Sequence, residues 1–262
     1  MTPMSMDAPG LAARHDAGEV HSGDGDVGPS VTVVIPALNE AENLPHVIPQ
    51  LPTRYEIVVV DGGSTDETVA VAQRLRPDAQ IVHQDGRGKG NALACGFAAA
   101  TGDILVMLDA DGSTRPDEIP RFIEVLECGA DFAKGSRRLE GGGSADFSFL
   151  RRAGNRFFSA LVNVLYGTRY TDLCYGYNAF WRRCLRQIAL DCDGFEVETL
   201  INIRACKAEL IVVEVPSFEE KRIAGASKLS VVRDGMRVLR TIVCERFMRT
   251  GPSHEADAVP TI

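Results

Sequence analysis

The stretch that most constrains the fold is Ile104–Ser113, whose sequence is Ile-Leu-Val-Met-Leu-Asp-Ala-Asp-Gly-Ser. Its apolar half, residues 104–108, runs directly into two carboxylates, Asp109 and Asp111. A continuous apolar run that ends in turn residues predicts a strand buried on both faces, as in sheets covered by helices. Open α/β sheets bind their ligands at the carboxyl ends of such strands. The sequence therefore predicts an α/β fold with both carboxylates at its ligand-binding edge.

Two carboxylates this close repel each other, so we expect a positive partner beside Asp109 and Asp111. Mg²⁺ and Mn²⁺ are held in this way, by one or two carboxylates together with substrate phosphates. The alternative is a strand followed by a solvated acidic turn. The stretch alone leaves both interpretations open, and the choice depends on the other motifs.

The charge of the chain is concentrated at its ends. The 262 residues carry a formal net charge of −8, of which residues 1–30 contribute −4 and residues 251–262 contribute −2. A body so close to neutral does not indicate a nucleic-acid partner. The seven cysteines show no Cys-x-x-Cys spacing, which argues against a zinc site or disulfide framework and fits a reducing cytoplasm.

The chain has no internal repeat and no convincing linker. We expect a tail at residues 1–30, rich in Gly, Asp, Ala and Ser, to be disordered. Residues 31–250 are expected to form a single domain, followed by a polar tail at 251–262. No apolar run reaches the ~20 residues needed to cross a bilayer, and no signal-peptide pattern precedes the domain. A cytoplasmic protein is predicted, with contact at a membrane surface left open.

Two earlier strands also end in polar residues. Val31–Pro36 is followed by Asn39 and Glu40, which either cap a helix from Glu40 or contact a ligand. Tyr55–Val60 ends in Asp61, which suits a ribose or base contact and equally suits a turn.

Two basic segments have no single interpretation. The glycine-rich segment 86–93 lacks the residues that would complete a dinucleotide or phosphate-loop fingerprint, although Lys89 could approach a diphosphate there. The predicted helix 150–166 places Arg151, Arg152 and Arg156 among large apolar residues. Such a helix lies either on an anionic membrane surface or against the core with a basic outer edge.

Six motifs in order make residues 31–230 resemble glycosyltransferase family 2, and within it the catalytic domains of dolichyl- or polyprenyl-phosphate mannose synthases. They are Val-Ile-Pro-Ala-Leu-Asn-Glu at 34–40, Val-Asp-Gly-Gly-Ser-Thr-Asp at 60–66, Asp-Ala-Asp-Gly-Ser at 109–113, Gly-Ser-Arg at 135–137, Gly-Phe-Glu at 194–196 and Arg-Ile-Ala-Gly-Ala-Ser-Lys at 222–228.

The resemblance implies a GT-A fold, a mostly parallel central sheet with helices on both faces, that binds a GDP- or UDP-linked sugar and Mg²⁺ or Mn²⁺. By position, donor-binding residues would be Pro36, Leu38, Glu40, Val59, Asp61, Asp109, Ala110 and Arg137. Metal ligands would be Asp109 and Asp111, with Ser113 at the position where the family often has Gln. Arg137, Arg222 and Lys228 match cations that grip the diphosphate or the acceptor phosphate.

Two departures from the family pattern are visible. Asp61 is followed by glycine where many relatives have a second aspartate, which removes one possible base contact. The C-terminal transmembrane helices that some relatives carry are also missing from this sequence.

The acceptor determines which further groups the reaction needs. Charge develops on the departing diphosphate, and the metal at Asp111 with Arg222 and Lys228 would stabilise it. A polyprenyl phosphate is already ionised, whereas a hydroxyl acceptor needs a base, for which Asp172 and Glu198 are candidates. We expect an inverting transfer of mannose or glucose to polyprenyl phosphate.

Three alternatives stay open at this point. The first is transfer to a soluble hydroxyl acceptor in wall or natural-product assembly, with Asp172 as base. The others are isomerisation of the nucleotide sugar in the same donor site, and a non-catalytic module that binds nucleotide sugars.

Overall fold

The computed structural model describes residues 28–226 and 230–248. These residues contain nine strands and seven α-helices. The strands are β1 (Val31–Ala37), β2 (Glu56–Asp61), β3 (Gln80–His83), β4 (Ile104–Met107), β5 (Phe132–Ser136), β6 (Gly143–Ser144), β7 (Asn178–Trp181), β8 (Val212–Pro216) and β9 (Phe218–Glu219). The helices are α1 (Leu44–Val47), α2 (Thr68–Leu75), α3 (Gly88–Ala99), α4 (Ile119–Glu127), α5 (Phe149–Tyr166), α6 (Val197–Lys207) and α7 (Val231–Phe247).

The main sheet has seven strands in the order β3-β2-β1-β4-β7-β5-β8. Strands β1 to β4 pair in parallel, and β8 pairs in parallel with β5. Only β7 runs antiparallel in this sheet, between β4 and β5. Strands β6 and β9 form a separate two-stranded sheet. The predicted α/β class and mostly parallel sheet are confirmed.

Helices cover both faces of the sheet because successive strand residues point to opposite sides. Val33 and Ile35 of β1 belong to one apolar core with helices α1, α2 and α4. Val34, between them, belongs to the second core with α3 and α6. Helix α3 crosses the sheet closely at Gly96, where an added Cβ would lie 2.3 Å from Val34 Cγ1.

Helices α5 and α7 form an outer layer on α6. Their shared apolar cluster contains Val162 of α5, Ile203 of α6, and Val238 and Ile242 of α7. No helix within residues 28–226 and 230–248 is both long enough and apolar enough to span a membrane.

One of the two interpretations of Asn39 and Glu40 is wrong. No helix capped by Asn39 begins at Glu40, since α1 begins at Leu44. Asn39 has φ 58°, and its side-chain oxygen accepts a hydrogen bond from the Thr65 N–H at 2.8 Å. Asn39 therefore joins the loops after β1 and β2, which a local pattern cannot show. The predicted tails lie outside the described residues, apart from residues 28–30.

Candidate active site

A cavity of about 300 Å³ opens at the carboxyl ends of β1, β2 and β4. The predicted residues that line it are Pro36, Leu38, Glu40, Asp109, Ala110, Asp111 and Arg222. Those that do not are Val59, Asp61, Ser113, Arg137 and Asp172, while Lys228 lies outside the described residues. We call this space the donor cavity.

On one side of the donor cavity, Lys89 joins two carboxylates. Its Nζ lies 2.6 Å from Asp109 Oδ1 and 2.8 Å from Glu198 Oε1. Withdrawal from water raises the pKa of Asp109, as do the charges of Asp111 and Glu198, against the lowering effect of Lys89. Withdrawal from water lowers the pKa of Lys89, but Asp109 and Glu198 raise it by more. Lys89 is therefore a charged ammonium group.

The glycines around Lys89 allow two backbone segments to approach. The Gly90 N–H donates to the Asp193 carbonyl at 2.9 Å, and Cβ atoms at Gly88 or Gly90 would lie 2.1–2.2 Å from backbone carbonyl oxygens of residues 192–193. Gly88 also has φ +82°, a conformation that favours glycine. The glycine-rich segment thus brings Lys89 and the residues after Asp193 to the same wall of the donor cavity.

On the other side of the donor cavity, Arg222 joins two carboxylates in the same manner. Its Nη1 donates to Asp111 Oδ2 at 3.1 Å. Its Nη2 donates to both oxygens of Glu40, at 2.5 and 2.6 Å. The forked guanidinium suits this bridge because its donors are held in one plane. Each carboxylate of the Asp-x-Asp motif therefore faces its own cation.

The turn after β4 sets the position of Asp111. The Ser113 N–H donates to Asp111 Oδ1 at 3.0 Å, and the Asp109 N–H donates to the Thr114 hydroxyl at 3.3 Å. Gly112 has φ +76°, and a Cβ there would lie 2.4 Å from Ile223 Cδ1. Ser113 thus holds Asp111 through its backbone, and its role as a metal ligand stays a prediction.

Residues 220–226 lie over this turn, held by hydrogen bonds that the sequence did not indicate. The Ile223 N–H donates to the Asp111 carbonyl at 3.1 Å. The Asn43 side chain accepts from the Ala224 N–H at 2.9 Å and donates to the Ala224 carbonyl at 3.2 Å. Asn43 therefore positions Arg222 over the donor cavity, a role that sequence analysis missed.

Neither of the two residues expected near base and ribose, Val59 and Asp61, lines the donor cavity. Val59 is fully buried in β2. Asp61 ends β2 and accepts hydrogen bonds from the Gly63 and Ser64 N–H groups at 3.2 and 3.1 Å. Burial raises the pKa of Asp61, but the bonds from Ser64 and Gly63 lower it by more. Gly62, which follows it, lines the donor cavity.

Arg137 and Asp172 form a closed ion pair away from the donor cavity. Arg137 donates from Nε to Asp172 Oδ2 at 2.7 Å and from Nη2 to Asp172 Oδ1 at 2.9 Å. Its third nitrogen, Nη1, lies 3.0 Å from Glu219 Oε2. The side chains of Arg137 and Asp172 are only 2% and 0% exposed. This geometry speaks against Asp172 as a catalytic base, because a substrate cannot reach its carboxylate.

A second cavity, of about 190 Å³, adjoins the donor cavity. Its wall is mainly apolar and comes from α5, α6 and α7, with Phe147, Leu150, Phe158 and Val238 among its residues. Arg137 and Glu198 border it as well. Phe195 and Asp234 line both cavities, so the two spaces meet at these residues. We call this space the apolar cavity.

Helix α7 contributes to both cavities, and sequence analysis missed its contribution. Arg233, Asp234 and Arg237 line the donor cavity. Their spacing of one and four residues is ordinary for a helix surface, and no motif marks them. Their place at the cavity follows only from the packing of α7 on α6.

Comparisons with known proteins identify the family of the chain. The model of the family described as glycosyl transferase family 2 matches residues 32–189, which is more than half of the chain. The chain belongs to glycosyltransferase family 2. It is therefore a glycosyltransferase.

Similar curated proteins of this family include sugar transferases named for lipid phosphates. A polyprenol monophosphomannose synthase of Mycolicibacterium smegmatis is 35% identical over 216 residues, which is 76% of this chain and 80% of that one. An undecaprenyl-phosphate mannosyltransferase of Micrococcus luteus is 32% identical over 213 residues, 76% of this chain and 87% of that one.

Solved structures of the same architecture show the GT-A fold. A glucosyl-3-phosphoglycerate synthase from Mycobacterium tuberculosis, in complex with Mn²⁺, UDP and phosphoglyceric acid, superposes with a TM-score of 0.69. The match has 22% identity and covers 86% of this chain and 81% of that chain. At this identity the likeness establishes the fold, and the predicted GT-A fold is confirmed.

Proposed function

We propose that this glycosyltransferase moves a sugar, mannose or glucose, from a GDP- or UDP-linked donor to polyprenyl phosphate with inversion at the anomeric carbon. The main support for the proposal is that the two cavities meet at Phe195 and Asp234. A charged cavity suits a nucleotide diphosphate, and an apolar cavity beside it suits the first isoprene units of a lipid phosphate.

The carboxylates of the two bridges support a divalent cation in the donor cavity. The bridges through Lys89 and Arg222 together contain four carboxylates and two cations, a formal charge of −2, while Arg233, Asp234 and Arg237 of α7 add +1 at the same cavity. Carboxylate and phosphate oxygens are the ligands that Mg²⁺ and Mn²⁺ prefer. Asp109 and Asp111 would hold the ion, which supplies positive charge to the departing diphosphate. Arg222, released from Asp111 by that exchange, would then be free to bind a phosphate.

The residues around the apolar cavity support an acceptor that carries its own negative charge. A phosphate acceptor needs cations and no base. Arg151 borders the apolar cavity with a side chain 27% exposed. The candidate base Glu198 also borders it, but its carboxylate is already bound to Lys89. These contacts favour polyprenyl phosphate over a hydroxyl acceptor, and the curated relatives named for lipid phosphates point the same way.

Exposed apolar residues on α5 and α7, the helices that line the apolar cavity, support contact with a membrane surface. Phe149 and Val164 of α5 are 88% and 82% exposed, and Phe247 of α7 is 83% exposed. Both helices also carry exposed arginines, among them Arg152 and Arg240. Apolar side chains flanked by cations are typical of surfaces that dock on anionic lipids. We propose peripheral docking at the cytoplasmic face of a membrane, with the lipid acceptor entering between α5 and α7.

The test is product formation by the full chain in detergent. GDP-mannose or UDP-glucose, polyprenyl phosphate and Mn²⁺ or Mg²⁺ are incubated together, and we expect a glycolipid that a chelator abolishes. Robust transfer to a soluble hydroxyl acceptor instead would contradict the proposal. A new nucleotide sugar formed from donor and metal alone would identify an isomerase.

A further inference from the structure

Asp234 has a buried carboxylate oxygen without a hydrogen-bond partner. Its Oδ2 accepts a hydrogen bond from the Ser230 N–H at 2.7 Å, but Oδ1 has no such partner among the described residues. Arg233 Nε and Arg237 Nη1 lie 3.6 and 3.9 Å from Oδ1, beyond hydrogen-bond distance. The side chain is only 4% exposed. Buried polar oxygens are nearly always paired, so this one calls for an explanation.

Glu196 presents a second such oxygen. Its Oε1 accepts from the Gly194 N–H at 3.2 Å, whereas Oε2 has no hydrogen-bond partner within the described part of the chain. A Cβ at Gly194 would lie 2.4 Å from Glu196 Oε2 and 2.6 Å from Arg237 Nη1. Gly194 lines the donor cavity. Glu196 lines neither cavity and lies behind Gly194, whereas Arg237 and Asp234 both line the donor cavity.

The position of Asp234 identifies which part of a substrate would reach it. Asp234 and Phe195 are the residues shared by the two cavities. In a transfer from diphosphate to acceptor, the anomeric carbon has to lie between the leaving and the attacking oxygen. The sugar ring therefore lies where the cavities meet, within reach of Asp234.

The charges at this wall of the donor cavity limit which chemical groups of a ligand can bind there. Carboxylate oxygens accept hydrogen bonds and repel anions, so a phosphate does not suit them. A cation is disfavoured as well, because Arg233 and Arg237 already neutralise Asp234 at ion-pair distance. Neutral hydroxyl groups, which donate hydrogen bonds without adding charge, are the group that remains.

We propose that Asp234 binds a hydroxyl group of the transferred sugar and determines which nucleotide sugar the enzyme accepts. This inference rests on the proposed function and adds a specificity-determining residue to it. Asp234 also closes the first turn of α7 through Ser230, so a test has to separate sugar binding from helix capping.

The substitution Asp234→Asn makes that separation. An asparagine retains an oxygen that can accept from the Ser230 N–H, while its amide nitrogen replaces the unpaired oxygen with a donor. Asp191→Asn is the matched control, since Asp191 pairs with Arg204 and lines neither cavity.

The measurement compares each nucleotide sugar with its own nucleoside diphosphate. Isothermal titration with GDP-mannose, GDP, UDP-glucose and UDP, each with Mn²⁺, gives the affinity that the sugar adds. For Asp234→Asn we expect roughly 10- to 100-fold weaker binding of the preferred nucleotide sugar, the loss of one hydrogen bond to a charged acceptor. Binding of the diphosphate and the melting temperature should stay at the wild-type values, as should every value for Asp191→Asn.

Two results would overturn the inference about Asp234. One is a nucleotide sugar bound as tightly by Asp234→Asn as by wild type. The other is an equal loss for nucleotide sugar and diphosphate, which would show a general effect on α7. Failure of the proposed acceptor is distinguishable, because donor binding would persist without glycolipid formation. A wild-type chain that binds no nucleotide sugar would overturn both proposals.

Discussion

Two regions of the molecule place an arginine between two carboxylates, with different consequences. At the donor cavity, Arg222 joins Glu40 and Asp111, and its side chain is 19% exposed. Behind the apolar cavity, Arg137 joins Asp172 and Glu219, and its side chain is 2% exposed. The residues are of the same types and the distances are similar. What differs is whether another ion or ligand can reach the carboxylates.

Accessibility determines what such a cluster can do. A buried ion pair costs several kcal/mol when one partner is removed, because the other charge is left without compensation. A partly exposed carboxylate can exchange its partner, since water and ions reach it. We infer that Arg137, Asp172 and Glu219 stabilise the fold. Lys89 and Arg222, by contrast, neutralise Asp109 and Asp111 until substrate and metal bind.

Asp111→Asn should give the largest effect and should act on catalysis. The neutral amide would weaken metal and diphosphate binding in the transition state, so we expect kcat/KM to fall about 10³-fold, or about 4 kcal/mol. Arg222 would keep Glu40 as its partner, so the melting temperature should change little. The measurement is glycolipid formation across a Mn²⁺ titration.

Asp117→Asn is the control for Asp111, because Asp117 is an exposed carboxylate paired with Arg115. It should retain wild-type activity. Full activity of Asp111→Asn would contradict the distinction between the two regions.

Asp172→Asn should act on stability instead. It leaves the buried guanidinium of Arg137 without its bidentate partner, so the free energy of unfolding should fall by about 3 kcal/mol. Denaturant titration at neutral pH measures this. Asp78→Asn neutralises an exposed carboxylate, and Arg76 keeps its hydrogen bonds to the Thr53 and Tyr55 carbonyls, so the change should cost under ~1 kcal/mol. A stable Asp172→Asn protein without activity would instead make Asp172 the base of a transfer to a hydroxyl acceptor.

The sequence predicted those parts of the site whose residues come directly after a strand. Asp109, Asp111 and Glu40 follow buried strands, and the carboxyl ends of parallel strands meet at one edge, whereas Pro36 lies within β1 and was implied by the family resemblance alone. That edge holds the donor cavity, and the sheet was predicted correctly for the same reason.

Contacts between distant segments could not be predicted in this way. The Glu198–Lys89 bridge spans 109 residues of sequence, and Asn43 meets Ala224 across 181. Asp172 was predicted as a candidate base because the sequence does not show that it is buried against Arg137, which follows β5. Asp234 carries no motif, and only the packing of α7 brings it to the cavities.

Arg222→Lys sharpens the comparison with a smaller effect. A lysine keeps the charge but has one nitrogen in place of a planar fork, so it cannot bridge Glu40 and Asp111 in the same geometry. We expect kcat/KM to fall roughly 30-fold, about 2 kcal/mol, with little change in stability. Arg115→Lys, at the exposed pair with Asp117, should leave kcat/KM unchanged. Equal kinetics for Arg222→Lys and wild type would show that only charge matters at this position.

The acid sensitivity of the Arg137 cluster gives the smallest effect. Burial raises the pKa of Asp172, but the hydrogen bonds and charge of Arg137 lower it further, so the net pKa lies below the ordinary value of 3.8. An acid with a depressed pKa in the folded state contributes stability above its unfolded pKa and loses that contribution as pH falls through the folded pKa. Wild type should therefore lose its advantage over Asp172→Asn below about pH 3.8, by at most ~1.4 kcal/mol per pH unit. Denaturant titrations of both proteins between pH 7 and pH 3 measure the difference. A difference in unfolding free energy that stays constant across that range would mean that the Asp172 carboxylate does not stabilise the fold through its charge. The Arg137 cluster would then differ from the donor cavity in packing and not in electrostatics.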